Sequence, residues 1–165
     1  MLKILPVVFC CLAAAAGGAA EQVEGVPFFR QERHQCGPAA LAGVLAYYGQ
    51  PLDMARILQE TYTESIRGSL MPDLENYARK LGFRTESGQG TLQTIQERIS
   101  AGRPVILLID NGVWLAARPH YILAVGFNEK GVIAHDGSHH SVLFGYEKFE
   151  KAWGKMGNPY LVIHP

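Results

Sequence analysis

The sequence predicts an α+β domain, with an N-terminal helical part packed on a C-terminal antiparallel sheet. Between residues 36 and 100, apolar residues recur at helical spacing in segments bounded by capping residues and glycines. After residue 103, short β-branched runs follow one another, separated by glycine and asparagine. Because the helices come first and the strands are neighbours in sequence, we expect two segregated parts. The length of 165 residues suits a single core.

Four helices are expected before the sheet. The first follows Cys36, and Pro38 suits its first turn, where the missing N–H costs nothing. Its apolar residues have the i, i+3, i+4, i+7 spacing of one buried face: Leu41, Val44, Leu45 and Tyr48. The other three span residues 52–61, 72–81 and 91–100, with Asp53 and Thr91 near their starts and Gly82 and Gly102 after their ends.

Four strands follow, at residues 104–110, 120–127, 132–135 and 160–163. A short helix at residues 147–153 separates the last two. Since these strands are neighbours in sequence, they are expected to pair antiparallel in one sheet.

The first twenty residues have the features of a secretory signal. Lys3 gives a positive start, residues 4–16 form an apolar run, and small residues precede Glu21. The run is shorter than the about 20 apolar residues that span a bilayer. We therefore expect the mature domain to comprise residues 21–165 and to act in the periplasm or outside the cell. The alternative is an uncleaved membrane anchor.

Charge and cysteine content narrow the function further. The formal net charge is zero, so the chain has no cationic excess to bind a phosphate backbone, and we expect no nucleic-acid partner. Removal of residues 1–20 takes away Cys10 and Cys11 and leaves only Cys36. A lone thiol in an oxidising compartment is either buried and inert or reactive for a purpose.

Cys36 is the candidate nucleophile. It stands just before the buried helix, where unpaired N–H groups and the helix dipole favour thiolate over thiol. Gly37 removes a side chain where a substrate carbonyl would approach. The alternative is a small buried apolar residue, which is the usual place of a free cysteine.

A thiolate needs a cationic partner that can also protonate a leaving amine, and histidine serves both purposes near neutral pH. His120 begins an apolar strand and is the best placed of the six histidines. Asp136 follows the next strand, and the end of one antiparallel strand lies beside the start of its neighbour. We therefore expect Asp136 to accept from the second imidazole nitrogen. Asp136-Gly137 is also typical of the start of a turn.

Acyl transfer also requires donors directed at the developing oxyanion. The main-chain N–H of Cys36 is one candidate, and a glutamine side chain from the segment before it is the other. Gln31 is preferred, because it lies five residues upstream and can fold back. Gln35 remains open, although its side chain is adjacent to the nucleophile and expected to point elsewhere.

These motifs together resemble those of a known family. Gln31, the run Cys36-Gly37-Pro38-Ala39-Ala40-Leu41-Ala42 and residues 45–49 resemble the start of the bacteriocin-processing peptidases, the double-glycine leader peptidases of the papain-like group. Three further runs follow in the same order: Pro104-Val105-Ile106, Pro119-His120-Tyr121 and His135-Asp136-Gly137. The likeness covers about residues 26–164.

The resemblance implies a papain-like cysteine peptidase fold and cleavage of peptide bonds, commonly after Gly-Gly, without a cofactor. It implies Cys36 as nucleophile, His120 as base and acid, Asp136 as orienting residue and Gln31 as oxyanion donor. Such peptidases often form part of an ATP-driven exporter. This chain carries no transporter segment, so we expect any export system to be a separate partner and the substrate to be a peptide or protein.

Other interpretations stay open from the sequence. A metal site could be formed by His135, Asp136, His139 and His140, although adjacent strand residues point to opposite faces. The same fold could also serve as a catalytically inactive peptide-binding module. An acyl-enzyme could be resolved by an amine rather than by water, which would give transfer instead of hydrolysis.

Overall fold

An antiparallel sheet separates two layers of helices in the computed structural model, which describes residues 20–112 and 116–165. The seven strands of this part of the chain are β1 (Glu21–Gln22), β2 (Arg84–Gln89), β3 (Val105–Asp110), β4 (Pro119–Asn128), β5 (Gly131–His135), β6 (Val142–Gly145) and β7 (Pro159–His164). The main strand order is β2-β7-β3-β4-β5-β6, and β1 pairs with β4. The expected signal segment lies almost wholly outside the described residues.

The helices are α1 (Cys36–Tyr47), α2 (Met54–Thr61), α3 (Met71–Lys80), α4 (Leu92–Ser100) and α5 (Tyr146–Gly154). A short 3₁₀ turn at Glu64–Ile66 connects α2 to α3. The predicted α+β class, with helices on an antiparallel sheet, is confirmed. None of the helices in the described ranges has the length and apolar character needed to cross a membrane.

The core has two halves, one on each face of the sheet. One half joins α1, α2 and α3 to the sheet through buried residues such as Leu45, Ile57, Leu74 and Leu123. The other joins α4 and α5 to the opposite face, through residues that include Ile95, Trp153 and Ile122. Successive residues of a strand point to opposite faces, so Ile122 and Leu123 of β4 serve different halves.

Helix α4 lies on a different face from the one the sequence suggested. It was expected with the other N-terminal helices, but it packs with α5. The reason is β2, which the sequence analysis missed. This strand pairs with β7 over its full length and carries the chain along the sheet edge before α4 begins. Because α4 follows that edge strand, its apolar side meets the face left open by α1 to α3.

Helix α1 is buried more completely than an amphipathic pattern predicts. All nine residues from Gly37 to Leu45 are buried, because α1 packs against β4, α2 and α3 and against apolar residues of the segment before it, such as Val26 and Phe29. The contact is closest at Gly43, where a built Cβ would lie 2.9 Å from Leu123 Cδ2 and 3.0 Å from Pro27 O. Small residues therefore let α1 lie directly on β4, which sets the position of its N-terminus.

The predicted helix boundaries are close to the observed ones. Asp53 Oδ1 accepts from Ala55 N at 3.2 Å, and Thr91 Oγ1 accepts from Thr94 N at 3.2 Å, so both act as N-caps. The two glycines expected to end α3 and α4 have positive φ angles, 94° for Gly82 and 72° for Gly102.

Candidate active site

Cys36 is the first residue of α1, and its thiol is half-buried at the helix N-terminus. The main-chain N–H groups of Gly37 and Tyr121 and the imidazole of His120 act on the sulfur, and each lowers the pKa of the thiol. Gly37 is tightly enclosed, since a built Cβ would lie 3.2 Å from Tyr121 Cδ2 and 3.3 Å from Ser69 Cβ. The Cys36 thiol is thus held between the helix end and the start of β4.

The pKa values of Cys36 and His120 shift in opposite directions. Burial alone raises the pKa of the Cys36 thiol, but the hydrogen bond with His120 and the surrounding N–H groups outweigh it, and the pKa falls below its ordinary value. Burial alone lowers the pKa of His120, but the interaction with Cys36 and the bond to Asp136 raise it above its ordinary value. These shifts favour a thiolate–imidazolium pair.

His120 is the second residue of β4 and is oriented by the main chain of Asp136. Its Nε2 lies 2.8 Å from Asp136 O. A carbonyl oxygen only accepts, so Nε2 carries a proton and Nδ1 is left for the thiol. The pairing of Leu123 with His135 brings the residues that follow β5 beside the start of β4, which is the geometry expected from neighbouring antiparallel strands.

The Asp136 carboxylate points into its own turn. Oδ1 accepts from Ser138 N at 2.7 Å and from His139 N at 2.6 Å, and Oδ2 lies 3.5 Å from His139 Nδ1. Burial alone raises the pKa of Asp136, but these N–H groups outweigh it and lower the pKa. The structure therefore brings Asp136 to His120 through the main-chain oxygen. The expected bond from the imidazole to the carboxylate is not formed in this arrangement.

The two candidate glutamines have different surroundings. Gln31 N donates to Gly137 O at 2.8 Å, and its side chain packs against Gly137. Gly137 in turn lines a narrow recess with Cys36 and Phe29. Gln35 instead lines a surface groove formed largely by α2. Gln31 therefore contacts a residue that lines the recess with Cys36, and its role as an oxyanion donor stays a prediction.

His135, the first residue of the alternative metal set, has both ring nitrogens engaged. Its Nδ1 accepts from Ser141 N at 3.1 Å, so Nε2 carries the proton and donates to Val26 O at 3.2 Å. Burial lowers the pKa of His135 below its ordinary value, which keeps the ring neutral. His135 thus fastens the segment before α1 to the end of β5, and neither nitrogen is free to bind a metal.

Sequence reasoning missed two contributors, both of which act through the main chain. The Tyr121 N–H lowers the pKa of the Cys36 thiol, and Gly137 packs directly against Gln31. No side-chain pattern in the sequence indicates the first contribution. The second had a signal in the Asp-Gly pair, which was interpreted as the start of a turn and as part of the family's pattern.

Three solved structures share the fold of this chain. A putative C39-like peptidase from Bacillus anthracis has a TM-score of 0.72 and 20% identity, covering 89% of this chain and 98% of that one. The peptidase domain of Streptococcus ComA, a bifunctional ABC transporter involved in a quorum sensing pathway, has a TM-score of 0.71 and 24% identity, covering 85% and 98%.

A double glycine motif protease from an AMS/PCAT transporter, solved in complex with the leader peptide, has a TM-score of 0.72 and 21% identity, covering 88% of this chain and 94% of that chain. At these identities the likeness establishes a shared fold, and it confirms the papain-like architecture expected from the sequence. No curated protein shows a significant match.

The sequence profile of the Peptidase_C39 like family matches residues 23–161. The matched stretch contains Cys36, His120 and Asp136 and runs from the segment before α1 into β7. The resemblance to the bacteriocin-processing peptidases is thereby confirmed, and the chain belongs to the Peptidase_C39-like family.

Proposed function

We propose that this protein is an exported papain-like cysteine peptidase that hydrolyses peptide bonds through Cys36 and His120, with Asp136 as the orienting residue. The observation that carries the proposal is the pairing of a half-buried thiol at a helix N-terminus with an imidazole, in which the pKa of the thiol is lowered and that of the imidazole is raised. A buried structural cysteine would have neither the partner nor the lowered pKa.

The geometry supports a two-stage reaction. The Cys36 thiolate attacks the scissile carbonyl carbon, a C–S bond forms, and negative charge develops on the carbonyl oxygen. The Cys36 N–H and the Gln31 amide are the donors proposed for that oxyanion. Imidazolium Nδ1–H of His120 gives its proton to the leaving nitrogen as the C–N bond breaks. The acyl-enzyme then remains with a neutral imidazole.

In the second stage, neutral Nδ1 of His120 takes a proton from water, and the hydroxide attacks the thioester carbonyl. The C–S bond breaks, the carboxylic acid product leaves, and the thiolate–imidazolium pair is restored. Throughout, Nε2–H stays bonded to Asp136 O, so the ring keeps one orientation and one tautomer. The Asp136 carboxylate adds a nearby negative charge that favours the imidazolium.

Cleavage after a pair of small residues, of the Gly-Gly type, is the specificity that we propose. The recess beside Cys36 is narrow, and its lining is mostly apolar, with Phe29, Ala39 and Leu123 among its residues. A branched side chain next to the scissile bond would have to displace these groups, whereas glycine would not. The leader-peptide complex of a double glycine motif protease with the same fold adds support.

A peptide series tests this specificity. We expect kcat/KM to be highest for a substrate with Gly-Gly before the scissile bond and to fall when valine replaces the second glycine, by at least about tenfold, the discrimination expected for a pocket that excludes apolar groups. Liquid chromatography of the products measures kcat/KM for each of the two peptides. Equal rates for the two peptides would contradict the proposed specificity. Cys36→Ala, tested with the better substrate, identifies any contaminating peptidase.

Alkylation of the thiol tests the pairing itself. We expect iodoacetamide to label Cys36 rapidly at mildly acidic pH, where an ordinary thiol with a pKa of about 8.5 is almost wholly protonated. In His120→Ala the imidazole is lost and only the main-chain N–H groups of Gly37 and Tyr121 still oppose the effect of burial, so the thiol pKa rises and labelling at that pH slows greatly. Mass spectrometry of the Cys36 peptide separates this site from Cys10 and Cys11.

The matched control for that experiment is His164→Ala, at the end of β7 and away from the thiol, which should label like the unchanged chain. Slow labelling of Cys36 at every pH would indicate an inert structural cysteine. Rapid labelling without peptide hydrolysis would favour the inactive peptide-binding module.

The Asp136→Asn substitution distinguishes the contribution of the Asp136 main-chain oxygen from that of its carboxylate. The substitution keeps the carbonyl that accepts from His120 but removes a charge that raises the pKa of His120. A lower pKa means that the imidazolium loses its proton earlier, so the alkaline limb of the kcat/KM profile should move to lower pH by up to about one unit. The maximal rate should fall by about tenfold at most.

The outcome that contradicts this assignment is a loss near 10⁴-fold, about the size seen when a carboxylate that sets the imidazole tautomer is replaced by an amide. Asp53→Asn is the control, because it changes the same charge at the cap of α2 and asparagine caps a helix equally well. Its pH profile should not change.

The two glutamines give a paired test of the oxyanion donor. Gln31→Ala should lower kcat by about 10²–10³, as the loss of one oxyanion donor does elsewhere. Gln35→Ala should leave kcat unchanged, because that side chain lines the groove on α2. Steady-state kinetics on one peptide measures both variants. The reverse result would transfer the role to Gln35.

A further inference from the structure

Gly137 and Gln31 are in unusually close contact. A Cβ built on Gly137 would lie 2.5 Å from Gln31 Cδ and 3.0 Å from Cγ, and it would overlap Oε1 as well. Gln31 N also donates to Gly137 O at 2.8 Å. The side chain of Gln31 therefore occupies the space that any residue other than glycine would need at position 137.

Packing, rather than hydrogen bonding, fixes the Gln31 amide. Its Oε1 is buried against Gly137 and has no hydrogen-bond partner within residues 20–112 and 116–165. Buried polar atoms without a partner are rare and carry a cost, so each calls for an explanation. In this orientation the oxygen, rather than the NH₂ group, is the amide atom nearest to the position of a Cβ on Gly137.

The same two-residue stretch of main chain serves the imidazole. Asp136 O accepts from His120 Nε2, and the next carbonyl, Gly137 O, accepts from Gln31 N. Gly137 also lines the recess that contains Cys36. One turn thus binds the imidazole through one carbonyl and the glutamine main chain through the next.

No other glycine within residues 20–112 and 116–165 combines a positive φ angle with so close a contact. Gly25, Gly49 and Gly82 also have positive φ angles, but a Cβ built on any of them meets nothing within 4 Å. At those positions only the positive φ angle of the backbone favours glycine. At Gly137, both the positive φ angle of 81° and the close contact with the proposed oxyanion donor favour glycine.

We propose that Gly137 is a positioning residue, which seats the Gln31 amide at the oxyanion and ties it to the carbonyl that orients His120. The inference rests on the proposed function. Gly137 itself makes no contact with the reacting atoms in this scheme, and its effect on the rate passes through Gln31.

The first arm of the test compares Gly137→Ala with Gly82→Ala in the full chain. Both introduce a Cβ at a positive φ angle, but only the first displaces Gln31. We expect Gly137→Ala to lower kcat by about 10²–10³ with little change in KM, which is the signature of a lost oxyanion donor. Gly82→Ala should keep its kcat. Labelling of Cys36 at mildly acidic pH should persist in both variants, which excludes collapse of the site.

The second arm adds Gln31→Ala, alone and together with Gly137→Ala. If Gly137 acts through Gln31, the double variant should have the kcat of Gln31→Ala alone. Its melting temperature should also exceed that of Gly137→Ala, because the shorter side chain leaves room for the added methyl group. Should Gly137→Ala alone fail to fold, the double variant still supplies the comparison with Gln31→Ala.

The outcomes separate the two claims. A chain that hydrolyses no peptide in its unchanged form overturns the proposed function. If the unchanged chain is active and Gly137→Ala matches Gly82→Ala in kcat, the positioning role alone is overturned. A further loss of kcat in the double variant, beyond that of Gln31→Ala, overturns it as well.

Discussion

The contact between the Cys36 thiol and the His120 imidazole is the interaction on which the site depends. Each side chain belongs to a different layer, one to α1 and the other to β4, so they meet only because the helix lies directly on the strand. Gly43 allows that approach along the helix, and Gly37 allows it at the helix end. The pair thus forms because small residues of α1 let the helix pack closely on β4, and the unfavourable burial of each side chain is offset by their mutual interaction.

Much of this arrangement could be predicted from the sequence. The start of α1 at Cys36 followed from Pro38 and the apolar spacing, and the strand that begins near His120 followed from its β-branched run. The proximity of Asp136 needed only the rule that neighbouring antiparallel strands share an end. These inferences hold because each depends on a local sequence pattern and on chain connectivity. Tertiary packing overrides neither of them here.

The finer geometry of the site depends on competition between hydrogen-bond partners, which no sequence pattern shows. The Asp136 carboxylate had two possible partners, the imidazole and the N–H groups of its own turn. It accepts hydrogen bonds from the N–H groups of the turn. Asp136 therefore starts a turn, and its main-chain oxygen lies at the imidazole, while its role as the orienting residue stays a prediction. Strand β2 was missed because its side chains are polar, although one of them, Thr85, bonds to the buried Glu75 on α3. Without that strand, the face on which α4 packs could not be inferred.

The position of β7 has a consequence for assembly of the domain. This strand comes last among the described elements, yet it lies inside the sheet, between β2 and β3, with Leu161, Val162 and Ile163 fully buried. Strand β2 has β7 as its only hydrogen-bonding neighbour in the main strand order, so it stays unpaired until the final segment arrives. Pairing between segments so distant in sequence is slow, because a long loop must close first. A chain in which β7 has not yet been added would therefore leave β2 without its partner strand and the core residues that pack on β7 uncovered.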